Sequence, residues 1–320
     1  MTKASFSPNP LSTGVELLVR GTVQGVGFRP FISRLADDIG LTGDVRNTSE
    51  GVVIRLFDCR DAVDGFLERL KDERPILARI EQIDRRTISD DAPSGFRILE
   101  SITCRPETAV AADAALCAEC RRELFDPGDR RYRYPFLNCT QCGPRYSIVE
   151  AIPYDRARTT MSGFSMCERC HAEYTDPADR RFHAEATACP DCGPTLWLEA
   201  AGDPAVSHRG GDAIRATLDR LQQGDIIAIK GLGGFHLACR ALDQAAVARL
   251  RERKRRARKP FALMVRGRAA AASLVELSHT AIEALESVEA PIVLLPLKAG
   301  VSLPPNIAPG LDQVGVMLPY

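Results

Sequence analysis

The chain has 320 residues, 45% of them apolar and 26% charged, which is enough for two or three globular domains and excludes a disordered polymer. Forty-two basic residues balance forty-two acidic ones, so no global field holds the chain to a polyanion and any anion site must be assembled locally. Residues 1–10, MTKASFSPNP, lack the apolar core of a secretory signal, and Arg, Lys or Pro interrupts every later apolar run before bilayer-spanning length. The expectation is a cytoplasmic protein with no membrane partner and a disordered tail over residues 1–12.

Residues 13–104 alternate apolar strands with two amphipathic stretches. Val15 to Val23 reads as a strand and Pro30 to Ile39 as a helix. Val45 and Val52 to Phe57 read as a strand pair turned at Ser49-Glu50-Gly51, and Ala62 to Leu70 has apolar residues at helical spacing. Ile80 to Ile88 and Phe96 to Leu99 are closing strands. The order is βαββαβ, the split-βαβ ferredoxin-like plan. Between the first strand and the first helix, Val23-Gln24-Gly25-Val26-Gly27-Phe28-Arg29-Pro30 sets two glycines before a helix whose first position suits Pro30. Backbone N–H groups at such a helix start form a concavity for a phosphate-sized anion, and Arg29 adds a fork for phosphate oxygens. A plain glycine turn fits the same residues about as well.

Residues 105–200 lose hydrophobic periodicity and gain Cys, Gly, Pro and Arg, because they hold a repeat. Cys117-x-x-Cys120, Asp126-Pro-Gly-Asp-Arg-Arg131 and Cys139-x-x-Cys142-Gly-Pro recur fifty positions later as Cys167-x-x-Cys170, Asp176-Pro-Ala-Asp-Arg-Arg181 and Cys189-x-x-Cys192-Gly-Pro. Paired Cys-x-x-Cys turns put both sulfurs of a turn on one side, so each repeat supplies four thiolates for one tetrahedral Zn²⁺. Neither repeat has enough apolar residues for a core, so metal takes its place. Closed four-cysteine sites are architectural, which gives two structural zinc ions. His171 and His183 lie nearby, but His183 aligns with Arg133 of the other copy, which argues against it as a ligand. Arg130, Arg131, Arg180 and Arg181 either offset the charge of the zinc–thiolate units or are solvated. The remaining cysteines, Cys59, Cys104 and Cys239, read as ordinary buried thiols.

Residues 205–320 turn α/β. A helix is predicted over Asp212 to Gln222, a strand over Asp225 to Ile229 and a glycine turn over Gly231 to Gly234. A helix over Asp243 to Arg253, a strand over Phe261 to Val265, a helix over Thr280 to Val288 and a strand over Ile292 to Leu297 follow. No closing element is evident before Tyr320, so this domain reads as incomplete. Lys230-Gly-Leu-Gly233-Gly and the basic run ending Lys254-Arg-Arg256-Ala-Arg-Lys259-Pro together suit a nucleotide phosphate if the turn faces the cluster.

Three resemblances attach to these residues. Gln24-Gly-Val-Gly-Phe-Arg29, with Gly43-Asp-Val-Arg-Asn47 and the βαββαβ order, resembles the acylphosphatase family. The resemblance implies phosphate binding by residues 24–29 and catalysis by Arg29, which holds the phosphate, and Asn47, which orients the attacking water. The glycine turn and basic run resemble the YrdC-like domains of threonylcarbamoyl-adenylate synthases, which implies that Lys230, Gly233, Lys254, Arg256 and Lys259 meet ATP, with Mg²⁺ accompanying it. The later Ser-x-Asn element of that family has no counterpart before Tyr320. Acylphosphatase-like, duplicated four-cysteine zinc and incomplete YrdC-like parts in that order, with Pro153-Tyr-Asp-Arg-Ala-Arg-Thr-Thr-Met161 before Cys167, resemble the N-terminal part of the HypF hydrogenase maturation factors.

That resemblance implies an α+β multi-domain carbamoyltransferase. It uses carbamoyl phosphate and ATP to form carbamoyl adenylate, and passes the carbamoyl group to the C-terminal cysteine of a HypE-like acceptor, towards the cyanide ligands of [NiFe] hydrogenase. The transferase domain of HypF has no counterpart here, so the chain is expected to be an N-terminal piece. Two rivals remain at this stage. One is a zinc-ribbon protein binding double-stranded RNA through Arg121, Arg122, Arg130, Arg131, Tyr132 and Tyr134, against which the neutral net charge weighs. The other is a simple acylphosphatase with appendages.

Overall fold

A computed structural model describes residues 12–58, 60–102, 109–200, 203–231 and 233–320. Cys59, Cys104 and the expected tail up to residue 11 lie outside the described residues. The first segment forms β1 (Ser12–Thr22), α1 (Phe28–Ile39), β2 (Thr42–Thr48), β3 (Gly51–Phe57), α2 (Arg60–Asp72), β4 (Arg79–Asp90) and β5 (Phe96–Ile98). These strands make one sheet in the order β4-β1-β3-β2-β5. Strand β1 runs antiparallel to β3 and β4, while β5 joins β2 in parallel with Phe96 opposite Gly43. Alternation along the strands turns Leu17, Val19, Val45, Ile54 and Leu56 inward. They meet Ile32 and Leu35 of α1 and Val63, Phe66 and Leu70 of α2 in one core. This is the βαββαβ arrangement read from the sequence, with β5 as a fifth strand.

One expectation is corrected at the start of α1. The helix begins at Phe28, two residues before Pro30, because Gly27 is its N-cap in the left-handed region at φ 71. Pro30 therefore sits third in the helix, still within the first turn, where a missing N–H costs nothing.

The two cysteine repeats build matching turns around α3 (Ala118–Phe125) and α4 (Glu168–Thr175), capped by Cys117 and Cys167. The same hydrogen bonds from backbone N–H groups to aspartate carboxylates recur fifty positions apart. Gly128 N–H donates to Asp126 and Ala178 N–H to Asp176, both at 2.9 Å; Arg131 N–H donates to Asp129 and Arg181 N–H to Asp179, both at 2.7 Å. Arg133 at φ 56 and His183 at φ 52 occupy the same left-handed corner, and each sends its N–H back to the preceding helix, on Leu124 and Tyr174. Arg131 and Arg181 are buried, so the solvated reading fails for these two.

The last segment forms β6 (Trp197–Ala200), β7 (Asp203–Arg209), α5 (Gly210–Gln222), β8 (Ile227–Gly231), β9 (Gly234–Ala238) and α6 (Gln244–Arg253). It continues with β10 (Ala262–Met264), α7 (Arg268–Leu274), α8 (His279–Leu285), β11 (Val293–Pro296) and β12 (Gln313–Met317). Strand β12 lies between β10, to which it is parallel, and β11, to which it is antiparallel. Strand β12, which the sequence pattern did not reveal, lies at residues 313–317, where Val314 and Val316 are buried beside Leu263 and Leu295; the YrdC-like part is still only partial. The glycine turn proves to be the bend of an antiparallel β8–β9 hairpin, with Lys230 opposite Phe235.

Backbone contacts gather the chain into two compact units, residues 1–113 with 137–193, and residues 114–136 with 194–320. No described helix is long and apolar enough to cross a membrane.

Candidate functional site

Within the first unit the loop from Val23 to Arg29 turns on Gly25 and Gly27, both at φ 71. A side chain at either position is strained by the backbone angle. A Cβ on Gly27 would also come 3.0 Å from Thr140, and one on Gly25 3.2 Å from Arg145. The loop delivers the start of α1, whose first N–H groups have no acceptor inside the helix.

Gln24, Arg29 and Asn47 converge on the backbone N–H and C=O of Tyr154. The Gln24 amide is fully buried; its Nε2 donates to the carbonyls of Thr48 and Gly51 at 2.7 and 3.0 Å, and its Oε1 accepts from Tyr154 N–H at 3.0 Å. The Tyr154 carbonyl accepts from Asn47 Nδ2 at 3.3 Å and, at 3.5 Å, from Arg29 Nη2. This fixes the orientation of the Asn47 amide through one of its two N–H donors. Its Oδ1 is buried and finds no protein partner among the described residues. An orphaned buried acceptor is costly unless a ligand or water donates to it, and a water held there has one O–H engaged and a lone pair free.

Arg29 is 8% exposed. Its Nη2 lies 2.9 Å from Asp155 Oδ1 and 2.9 Å from Glu185 Oε1. Glu185 Oε2 accepts from Tyr174 O–H at 2.9 Å and Arg156 N–H at 3.0 Å. Burial pushes the Glu185 carboxyl up from its ordinary value, opposed by the Arg29 charge. Burial also pushes the Tyr154 phenol up to about 12. A narrow cleft lined by Gly25, Arg29, Asn47, Tyr154, His183 and Glu185 among others opens among these residues.

Sequence reasoning named Gln24 to Arg29 and Asn47, and the structure brings them together. It missed Arg145, which donates to Gly25 O and to the carbonyls of Cys139, Thr140, Cys142 and Pro144, so that all five of its N–H groups tie a cysteine turn to the loop. It also missed Tyr154, Asp155 and Glu185 as members of the site. The unbroken Pro153-Tyr-Asp-Arg stretch was the available signal for the first two, and the break in repeat symmetry was the signal for the third, since Glu185 stands where the first copy has Pro135.

His183 packs against Phe182 and Tyr174 with ring centroids at 4.6 and 5.1 Å. Burial, with Arg29 nearby, pushes its pKa down to about 4. Below the ordinary value near 6.5 the unfolded chain takes up a proton that the folded one refuses, so His183 withdraws stability as pH falls from about 6.5 to about 4. Substitution His183→Asn suits the left-handed backbone and removes the titration. Urea denaturation at pH 7 and pH 4.5 is expected to show the wild type losing up to about 3 kcal/mol relative to this variant.

The cysteines group as the spacing required. The sulfurs of Cys167, Cys170, Cys189 and Cys192 lie within 4.8 Å of one another, as do those of Cys117, Cys120, Cys139 and Cys142. Four sulfurs each about 2.3 Å from a shared ion at tetrahedral angles lie about 3.8 Å apart. The observed separations are 3.8 Å for Cys167–Cys189, 3.7 Å for Cys189–Cys192, 3.6 Å for Cys170–Cys192 and 3.8 Å for Cys139–Cys142. The donor sets are consistent with zinc.

Family models match residues 15–98 as acylphosphatase, residues 116–149 and 166–199 as HypF finger, and residues 219–320 as the Sua5/YciO/YrdC family, described as telomere recombination. Carbamoyltransferase HypF2 of Cupriavidus necator is 52% identical over 317 residues, covering 98% of this chain and 39% of that protein. The chain belongs to the HypF carbamoyltransferase family. It corresponds to the N-terminal part and spans about two fifths of the length of the HypF relatives it matches. The crystal structure of full-length HypF in the phosphate- and nucleotide-bound form superposes with a TM-score of 0.89 at 44% identity, covering 98% of this chain and 41% of that one. An acylphosphatase of Alkalilimnicola ehrlichii is 37% identical over 83 residues, covering 26% of this chain and 92% of that protein.

The nucleotide residues expected in the YrdC-like part are placed as follows. Lys230 and Gly233 are exposed on the β8–β9 hairpin, with Lys230 Nζ 5.3 Å from the Phe235 ring. Lys254 and Lys259 are exposed. Arg256 donates to the carbonyls of Lys259 and Pro260 at 3.0 and 2.7 Å and lies over Phe261. Among the described residues no hydrogen bond links the hairpin to residues 254–259.

Proposed function

We propose that this chain performs the early steps of HypF chemistry, with carbamoyl phosphate hydrolysed at the Gln24–Arg29 cradle and the carbamate adenylated with ATP in the YrdC-like part. The observation that carries the reading is the convergence of Gln24, Arg29 and Asn47 on the backbone of Tyr154, with Asn47 Oδ1 left buried and unpaired among the described residues. The phosphate and nucleotide bound by the full-length relative support both halves. The carbamoyl group would go on to a HypE-like acceptor, towards the cyanide ligands of [NiFe] hydrogenase.

In the cradle the loop N–H groups and Arg29 hold the phosphoryl oxygens as charge spreads over them. Asn47 Oδ1 accepts from the water, which attacks phosphorus while the bond from phosphorus to the carbamate oxygen breaks. Carbamoyl phosphate dianion and water yield carbamate and dihydrogen phosphate, the water protons leaving with the phosphate. Positioning supplies most of this, since a neutral amide orients water without competing for the anion. Four thiolates in each finger would hold one Zn²⁺, which supplies rigidity and leaves no open coordination position. Lys230, Gly233, Lys254, Arg256 and Lys259 are proposed to hold the phosphates of ATP, which enters with Mg²⁺.

Phosphate release from carbamoyl phosphate, measured with and without ATP, tests the reading. The Asn47→Ala variant is expected to lose about 100-fold or more in kcat with KM little changed, as an interaction made chiefly in the transition state disappears. A rate equal to that of the wild type removes Asn47 from the mechanism. A simple acylphosphatase would cleave many acyl phosphates as efficiently when only residues 13–104 are kept.

A further inference from the structure

Two carboxylates, from Asp155 and Glu185, meet one nitrogen of Arg29, Nη2, at 2.9 Å each, and both lie outside the acylphosphatase-like segment. On charge alone they are competitors for the anion that Arg29 is proposed to bind. The geometry points the other way. Glu185 is 4% exposed, and its second oxygen is pinned by Tyr174 O–H and Arg156 N–H, so it cannot swing aside as a displaceable occupant would. Both carboxylates meet Nη2, the nitrogen shared by both two-nitrogen edges of the guanidinium, so a phosphate here is met by the donors of Nη1 rather than by a bidentate fork. The other terminal nitrogen, Nη1, has Ser101 Oγ at 3.5 Å, the outer limit of hydrogen bonding.

We propose that Glu185, assisted by Asp155, is a positioning residue for Arg29: it is a fixed post that holds Nη2 and leaves Nη1 to donate to the phosphate. A long arginine side chain free to rotate would have to be ordered by each incoming substrate, at an entropic cost taken from binding. A buried carboxylate anchored at three points has met that cost during folding. The finger segment therefore contributes to the phosphate site without touching the substrate, and the inference rests on the reading of that site as a phosphate cradle.

The test uses the full chain and inorganic phosphate as probe, with binding followed by calorimetry. Glu185→Ala is expected to weaken phosphate binding about 10- to 100-fold, the range typical when a group that orients a binding residue is removed. It is expected to raise KM for carbamoyl phosphate more than it lowers kcat. Glu185→Gln keeps an oxygen for Arg29 and is expected to recover most of the loss. Asp155→Ala, at a partly exposed site, is expected to weaken binding in the same direction and serves where Glu185→Ala fails to fold. Zinc content and far-ultraviolet circular dichroism monitor the fold. Unchanged or tighter phosphate binding in both alanine variants overturns the proposal and makes the carboxylates bystanders or competitors. A wild type that binds phosphate but does not cleave carbamoyl phosphate overturns the hydrolytic reading while leaving the positioning role to stand or fall on the binding data. A wild type that binds no phosphate overturns both.

Discussion

Replacing Arg29 by alanine is expected to abolish carbamoyl phosphate hydrolysis while leaving the zinc content unchanged. Arg29 is the cation that reaches the loop from α1, and losing a preorganised charge facing a developing phosphoryl anion costs of order 1000-fold in rate. The same change leaves the Glu185 carboxylate buried against Tyr174 and the Arg156 N–H without its principal counter-charge. The variant is therefore also expected to be less stable by about 3–5 kcal/mol. Arg29→Lys restores charge but not a planar fork, and is expected to recover stability more than turnover. A thermal melt alongside the phosphate-release assay separates the two effects, and a rate that survives Arg29→Ala means the cradle is misassigned.

The second large effect concerns the metal. Atomic absorption on protein purified without added zinc is expected to return two equivalents per chain. Structural sites of this type contribute about 10–16 kcal/mol of apparent binding energy, comparable to the whole stability of a domain. Cys189→Ser is expected to lose one equivalent and to unfold the second repeat. Since Tyr174, His183 and Glu185 all belong to that repeat, the variant is expected to lose phosphate binding as well, although it changes nothing in the acylphosphatase-like segment. A protein that is metal-free yet fully folded would falsify the assignment of the cysteines.

The parts of this molecule legible in the sequence are those whose physics is local. Strand and helix periodicity located β1 to β4, and the Cys-x-x-Cys spacing named every member of both sulfur groups. The run from Gln24 to Arg29 announced a turn feeding a helix. What escaped was decided by contacts between distant residues or by backbone angles. The left-handed conformation of Gly27 moved the start of α1 to Phe28, ahead of Pro30. Strand β12 is short and interrupted by Gly315, and only its neighbours β10 and β11 make it a strand. Tyr154 acts through its backbone N–H and C=O, so the stretch around it marks its place but its side chain does not announce the role. Asp155 and Glu185 are ordinary acidic residues until folding sets them against Arg29.

The equal left-handed corners at Arg133 and His183 show that the backbone of the ancestral finger was inherited intact by both descendants. What diverged is the set of side chains around that corner: Leu124, Arg133 and Pro135 in one copy, Tyr174, His183 and Glu185 in the other. Both copies thus keep four sulfurs for a metal, while the second also sets Glu185 against Arg29. A chimera carrying two first copies should therefore remain a sound metalloprotein and a poor host for phosphate.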